Sequence, residues 1–148
     1  MEENMTLSAF FKENAEPVTI KRYVASKRFT KTNEKGEKEP IEWELKALTN
    51  EEMDALRDKY KKKTRDKNTQ QVINDFNMEG FTKELTVKCV VFPNLNDASL
   101  QDSYGVVGAD DLLKAMLSPG ELTDLQMACQ AANDYENGMG EKIKQVKN

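Results

Sequence analysis

The sequence predicts an α+β fold, with a small antiparallel β-sheet early in the chain packed with a C-terminal cluster of helices. Three observations carry that reading. Ile41, Trp43, Leu45 and Ala47 alternate with Glu42, Glu44 and Lys46, the two-residue period of a half-buried strand. Ala109, Leu112, Leu113, Met116 and Leu117 fall at i, i+3, i+4, i+7 and i+8, one apolar stripe on a helix. Ser118, Pro119 and Glu121 then write a capping box with proline in the first helical position. Strand patterns come first and helix patterns last, the order expected of segregated α+β architecture.

The elements follow in turn. Met5 to Asn14 reads as a short amphipathic helix capped by Thr6 and presenting Leu7, Phe10 and Phe11, and Pro17 ends it. Val18, Ile20, Arg22 and Val24 alternate with Thr19, Lys21 and Tyr23 as a first strand. Between it and the strand at 41–47, the polar stretch from Thr30 to Pro40, centred on Gly36, reads as the mobile tip of a β-hairpin. Thr49 with Glu52 makes a second capping box, and Met53, Leu56 and Tyr60 carry an apolar stripe to about Lys63. A polar link, Thr64 to Thr69, leads to Gln71–Phe76, read as a third strand because a lone hairpin is marginal without one. Phe81, Leu85, Cys89 and Phe92 recur at helical spacing until Pro93, although Val87, Val90 and Val91 argue for a strand.

The helical cluster is written more plainly. Asp97 caps a turn carrying Leu100 and Tyr104, and Gly105 suits a left-handed C-cap. Gly108 opens the next helix, with Asp110 and Asp111 placed in its first turn to complement the dipole. Leu122, Leu125, Cys129 and Ala132 mark one face of the last helix. The 148 residues are expected to form one domain over 1–136, with 137–148 a frayed polar tail.

Composition removes several function classes. A net charge of −4 and a pI near 5.1 disfavour wholesale binding to nucleic acid or an anionic membrane, which need a basic face. No apolar run approaches the roughly 20 residues a membrane-spanning helix needs. The start of the chain is acidic and too short in its apolar part for a signal peptide. Cys89 and Cys129 match no metal spacing and read as buried thiols. Histidine is absent, which removes the commonest general base, nucleophile activator and zinc ligand. The acid pairs Asp110–Asp111 and Glu51–Glu52 are explained by helix dipoles. Gly105-Val-Val-Gly108 and Gly138-Met-Gly140 lack the surroundings of a phosphate loop. The segment from Asp97 lacks both the glycine and the twelfth-position acid of a calcium loop. The basic run Arg57–Lys67 could serve nucleic acid, but Asp58 and Asp66 interrupt it and lysines favour a helix C-terminus in any case. No catalytic residue, metal site or cofactor is expected.

An apolar run into "FPNL" (92–95), then "LQDSYGVVGADDLLKAML" (100–117) and "SPGEL" (118–122), resembles the phage tail assembly chaperones of Gram-positive phages and PBSX-like prophages. "MTLSAFFKENA" (5–15) and "EWELKALTNEEMDALR" (42–57) extend the resemblance over most of the chain. It implies a non-enzymatic chaperone in the bacterial host cytoplasm. Such a protein keeps the tape-measure protein soluble and helps tail-tube subunits assemble, and it often has a frameshifted longer form of itself. Self-association is a further expectation. The alternatives from other classes are a structural tail component retained in the virion and a nucleic-acid-binding regulator using residues 57–67. The resemblance carries no defined functional residues. Apolarity and position alone select Phe10, Phe11, Met116, Leu117, Leu122 and Met127 as client-binding candidates.

Overall fold

The computed structural model describes residues 6–133, so the expected tail at 137–148 lies outside the described residues. Strands β1 (Lys21–Tyr23), β2 (Thr30–Thr32), β3 (Lys38–Pro40) and β4 (Trp43–Leu45) come first. β1 and β4 pair antiparallel, with Lys21 opposite Leu45 and Tyr23 opposite Trp43. The expected hairpin is therefore present. Its tip is more ordered than the sequence suggests, because β2 and β3 form a second short ladder. The Asn33 side-chain oxygen accepts from the backbone N–H groups of Lys35 and Glu37 and closes the turn.

Helix α1 (Asn50–Tyr60) begins at the expected capping box: Thr49 accepts from the Glu52 N–H, and Glu52 accepts from the Thr49 N–H. It stops at Tyr60, short of the expected Lys63. Lys61–Arg65 continues without a loop as β5, which pairs antiparallel along its whole length with β6 (Val72–Phe76). The third strand read at Gln71–Phe76 thus exists, but it joins a separate two-stranded ribbon rather than the main sheet. Its partner, rich in lysine, has no strand propensity to announce it.

Helix α2 (Met78–Cys89) is capped by the Asn77 side chain and passes directly into β7 (Val90–Phe92). β7 is the third strand of the main sheet, in the order β1-β4-β7. Reading a helix through to Phe92 is therefore corrected by three residues. Val90 pairs with Leu45, the Lys46 N–H donates to the Cys89 carbonyl at 2.9 Å, and a register shift follows before Glu44 meets Phe92. The Phe92–Pro93 peptide is cis.

Helices α3 (Ala98–Ser103), α4 (Ala109–Met116) and α5 (Pro119–Ala132) complete the described residues. Asp97 caps α3 through the Leu100 N–H at 2.9 Å. Gly105 and Gly108 hold φ at +67° and +102°, values that disfavour any side chain and that set the turn between α3 and α4. Both bonds of the Ser118–Glu121 capping box form, with Pro119 in the first turn of α5.

Two apolar clusters result. In the larger, Trp43, Leu45 and Val90 of the sheet meet Leu112, Leu113 and Met116 of α4 and Leu125 and Cys129 of α5. The smaller joins Met53 and Leu56 of α1 to Phe81 and Leu85 of α2, and Leu48 touches both clusters. Cys89 and Cys129 are buried free thiols in contact with one another; that contact, followed by burial, pushes the Cys129 thiol strongly up. Arg28 reaches from the β1–β2 connection to the Met116 carbonyl and to Glu121, tying the hairpin to the α4–α5 corner. Asn133 closes the other end of α5, accepting from the Leu48 N–H at 2.8 Å and donating to the Cys129 carbonyl.

Candidate functional site

The described residues offer surfaces rather than a cleft. No three of their His, Cys, Asp or Glu side chains gather in a way that could hold a metal ion, and none of their helices is long and apolar enough to cross a membrane. The depressions are open and of mixed polarity. One of about 440 Å³ lies on the outer face of the main sheet between Arg22, Lys31, Ile41, Glu42, Glu44 and Phe92. Another, of about 660 Å³, lies against the ribbon beside Lys61, Lys63, Asn74 and Phe76.

Three features stand out. The first is an N-terminal arm. Leu7–Phe10 makes a single 3-10 turn with Thr6 at its N-cap, shorter than the helix expected over 5–14. The turn is tied to itself by the Asn14 side chain, which donates to the Ser8 carbonyl at 2.8 Å. From Thr6 to Ile20 every residue is exposed, and none belongs to either apolar cluster. Leu7 is 74%, Phe10 78% and Phe11 48% exposed, a cost in hydration of roughly 1.5–3 kcal/mol per large apolar side chain that burial would recover.

The second is the β5–β6 ribbon. Both faces are exposed except at Phe76, yet its root is firmly held. Phe76 packs on Phe81 with ring centroids 5.3 Å apart, and the Asn77 N–H donates to the Tyr60 carbonyl. Tyr60 lies so close over Gly80 that a Cβ there would sit 2.5 Å from its ring. The Tyr60 hydroxyl and the Lys59 ammonium both donate to Glu84, at 2.7 and 2.6 Å. Burial pushes the Glu84 carboxyl up, but those two partners outweigh it and hold it below its ordinary value of 4.5. The bond to Glu84 raises the Tyr60 hydroxyl in turn.

The third is the outer face of α5, where Met127 stands 54% exposed, off the stripe that faces the core. The six sequence-selected residues therefore divide. Phe10 and Phe11 are exposed on the arm, and Met127 on α5. Leu122 is half-buried against the main core, and Met116 and Leu117 are buried in it. Met116 and Leu117 complete the apolar stripe of α4, so in this conformation they hold the fold and present nothing to a partner. Val107, 89% exposed between Gly105 and Gly108, and Met78 at the start of α2 are exposed apolar residues that the sequence reading passed over. Gly105 and Gly108 bracket the Val106–Val107 pair, of which Val106 packs against the core and Val107 faces out.

Comparison with known proteins places this arrangement. A family model described as phage XkdN-like tail assembly chaperone protein matches residues 7–147. The chain belongs to that family. That family is one of tail assembly chaperones, so a tail assembly chaperone role follows for this chain. The fold is also that of a solved structure, the crystal structure of the protein yqbn. That structure is 20% identical, with a TM-score of 0.68 over 88% of this chain and 98% of that one. No curated protein matches the chain. Among the described residues the most exposed large apolar side chains are Val107, Phe10, Leu7 and Val18.

Proposed function

We propose that this tail assembly chaperone binds apolar helical segments of the tape-measure protein in the bacterial host cytoplasm, keeping that protein soluble while the tail tube assembles around it. The observation that carries the reading is the arm: Leu7, Phe10 and Phe11 lie within the family match and are exposed, outside both apolar clusters. A 3-10 turn this short does not persist alone in water. Docking on an apolar groove of a client helix stabilises it and buries both rings. Met127 adds a flexible, polarizable contact on α5, with half-buried Leu122 beside the core; Met116 and Leu117 contribute only if α4 moves. Tail-tube subunits and a frameshifted longer form of this chain are the further partners of this reading.

Co-expression with the tape-measure protein tests it. Client that stays soluble and co-elutes, and that is lost with F10A/F11A while the variant itself stays folded, supports the reading. Client that precipitates in the presence of the wild-type chain overturns it, and recovery of the chain in purified particles points instead to a structural tail component.

A further inference from the structure

We propose that the β5–β6 ribbon is the docking site for the N-terminal arm of a second copy of this chain. Charge supports this pairing. Lys61, Lys62, Lys63, Arg65 and Lys67 against Asp66 and Asp75 leave the ribbon at +3 in a chain whose net charge is −4. Glu2, Glu3, Glu13 and Glu16 against Lys12 leave the first twenty residues at −3. Residues 134–148 carry three acids and three lysines and have no net attraction to a basic surface. Shape and polarity agree. Lys61, Lys63, Arg65, Val72, Asn74 and Phe76 share one face of the ribbon, since they pair across the ladder and alternate along each strand. The open depression at its root is backed by Phe76, and Val72 adds exposed apolar surface further out on the same face. The arm offers Leu7, Phe10 and Phe11 beside its acids. A two-stranded ribbon is marginally stable alone in water and gains from being covered. Leu7, Phe10 and Phe11 and, Phe76 apart, the strands of the ribbon are all exposed within one chain, so the contact is proposed between copies. Each copy gives one arm and receives one.

The inference stands apart from the client reading, because it is measured on the chain alone. If both hold, a client and a neighbouring copy compete for Phe10 and Phe11.

Sedimentation equilibrium of the full chain across a concentration series, at low and high salt, is the test. The expected result is self-association that weakens with salt. K61E/K63E/R65E and E13K/E16K should each weaken it about tenfold or more, as reversal of facing charges does, and mixing the two variants should restore it. F10A/F11A should weaken it at either salt concentration. Circular dichroism of each variant confirms the fold, and the mixing arm reports even if one variant is destabilised. A chain that stays monomeric throughout overturns the proposal, as does self-association indifferent to the ribbon charges. Salt-dependent binding of duplex DNA by the ribbon, with self-association unchanged by K61E/K63E/R65E, assigns the surface to nucleic acid instead.

Discussion

Gly80 shows how a single residue can invert the usual expectation. Near a helix start, Gly→Ala ordinarily stabilises by up to about 1 kcal/mol, because glycine loses more freedom on folding. Here a Cβ would meet the Tyr60 ring at 2.5 Å and the Asn77 amide at 2.7 Å, and neither can retreat without giving up its own contact. Gly80→Ala should therefore destabilise, by about 1–3 kcal/mol in urea denaturation, as overpacking does. Beside it, Glu84 is a titratable pin. Its folded value lies below 4.5, so its contribution is present above that pH and is lost as pH falls through the folded value. Melting temperature should fall on acidification below about pH 4.5 more steeply in the wild type than in Glu84→Gln, which has no such charge to lose. At neutral pH Glu84→Ala should cost about 1–2 kcal/mol, the scale of a lost charge-assisted hydrogen bond.

Among the elements, the helices with self-contained start signals were readable from the sequence and the strands that depend on distant partners were not. The boxes at Thr49–Glu52 and Ser118–Glu121 form as written, since a cap is decided by four consecutive residues. Ser118→Ala should lower stability by about 1 kcal/mol in thermal or chemical melts. Val90–Phe92 was harder. Its helical spacing suited α2, and only the ladder to Glu44 and Leu45, more than forty residues earlier, turns it into a strand. The β-branched pair Val90–Val91 was the available hint. Lys61–Arg65 offered less still: charge said solvated helix end, and the pairing with Val72–Phe76 is supplied by the turn around Asp66–Gln71. Gln70 takes φ of +59° there, so Gln70→Gly should relieve roughly 1 kcal/mol of left-handed strain in the ribbon tip.

At the scale of the whole molecule, fold and function separate along the chain. Among the described residues the cores use nothing before Tyr23, so deletion of residues 1–20 should leave the melting temperature within about 2 °C while abolishing client solubilisation in co-expression. Met116→Ala should do the reverse first, costing about 2–5 kcal/mol as a buried large-to-small change. The candidate surface was half legible for the same reason. Apolarity finds Phe10 and Met116 alike, but only the completed packing tells which one the core has claimed. Met127 was separable in principle, because it falls off the Leu122–Leu125–Cys129–Ala132 stripe of α5.

The ribbon has no slack at its base. Tyr60 ends α1 and Lys61 begins β5, while a single residue, Asn77, stands between β6 and α2. A hairpin hung on flexible loops would move without its hosts noticing. This one extends the backbones of two helices that pack on each other through Met53, Leu56, Phe81 and Leu85. Whatever grips the tip therefore pulls on a lever whose fulcrum is the smaller core. Amide hydrogens in α1 and α2, far from any contact, should exchange more slowly when the ribbon is occupied, and those of the separate β2–β3 ladder should not change.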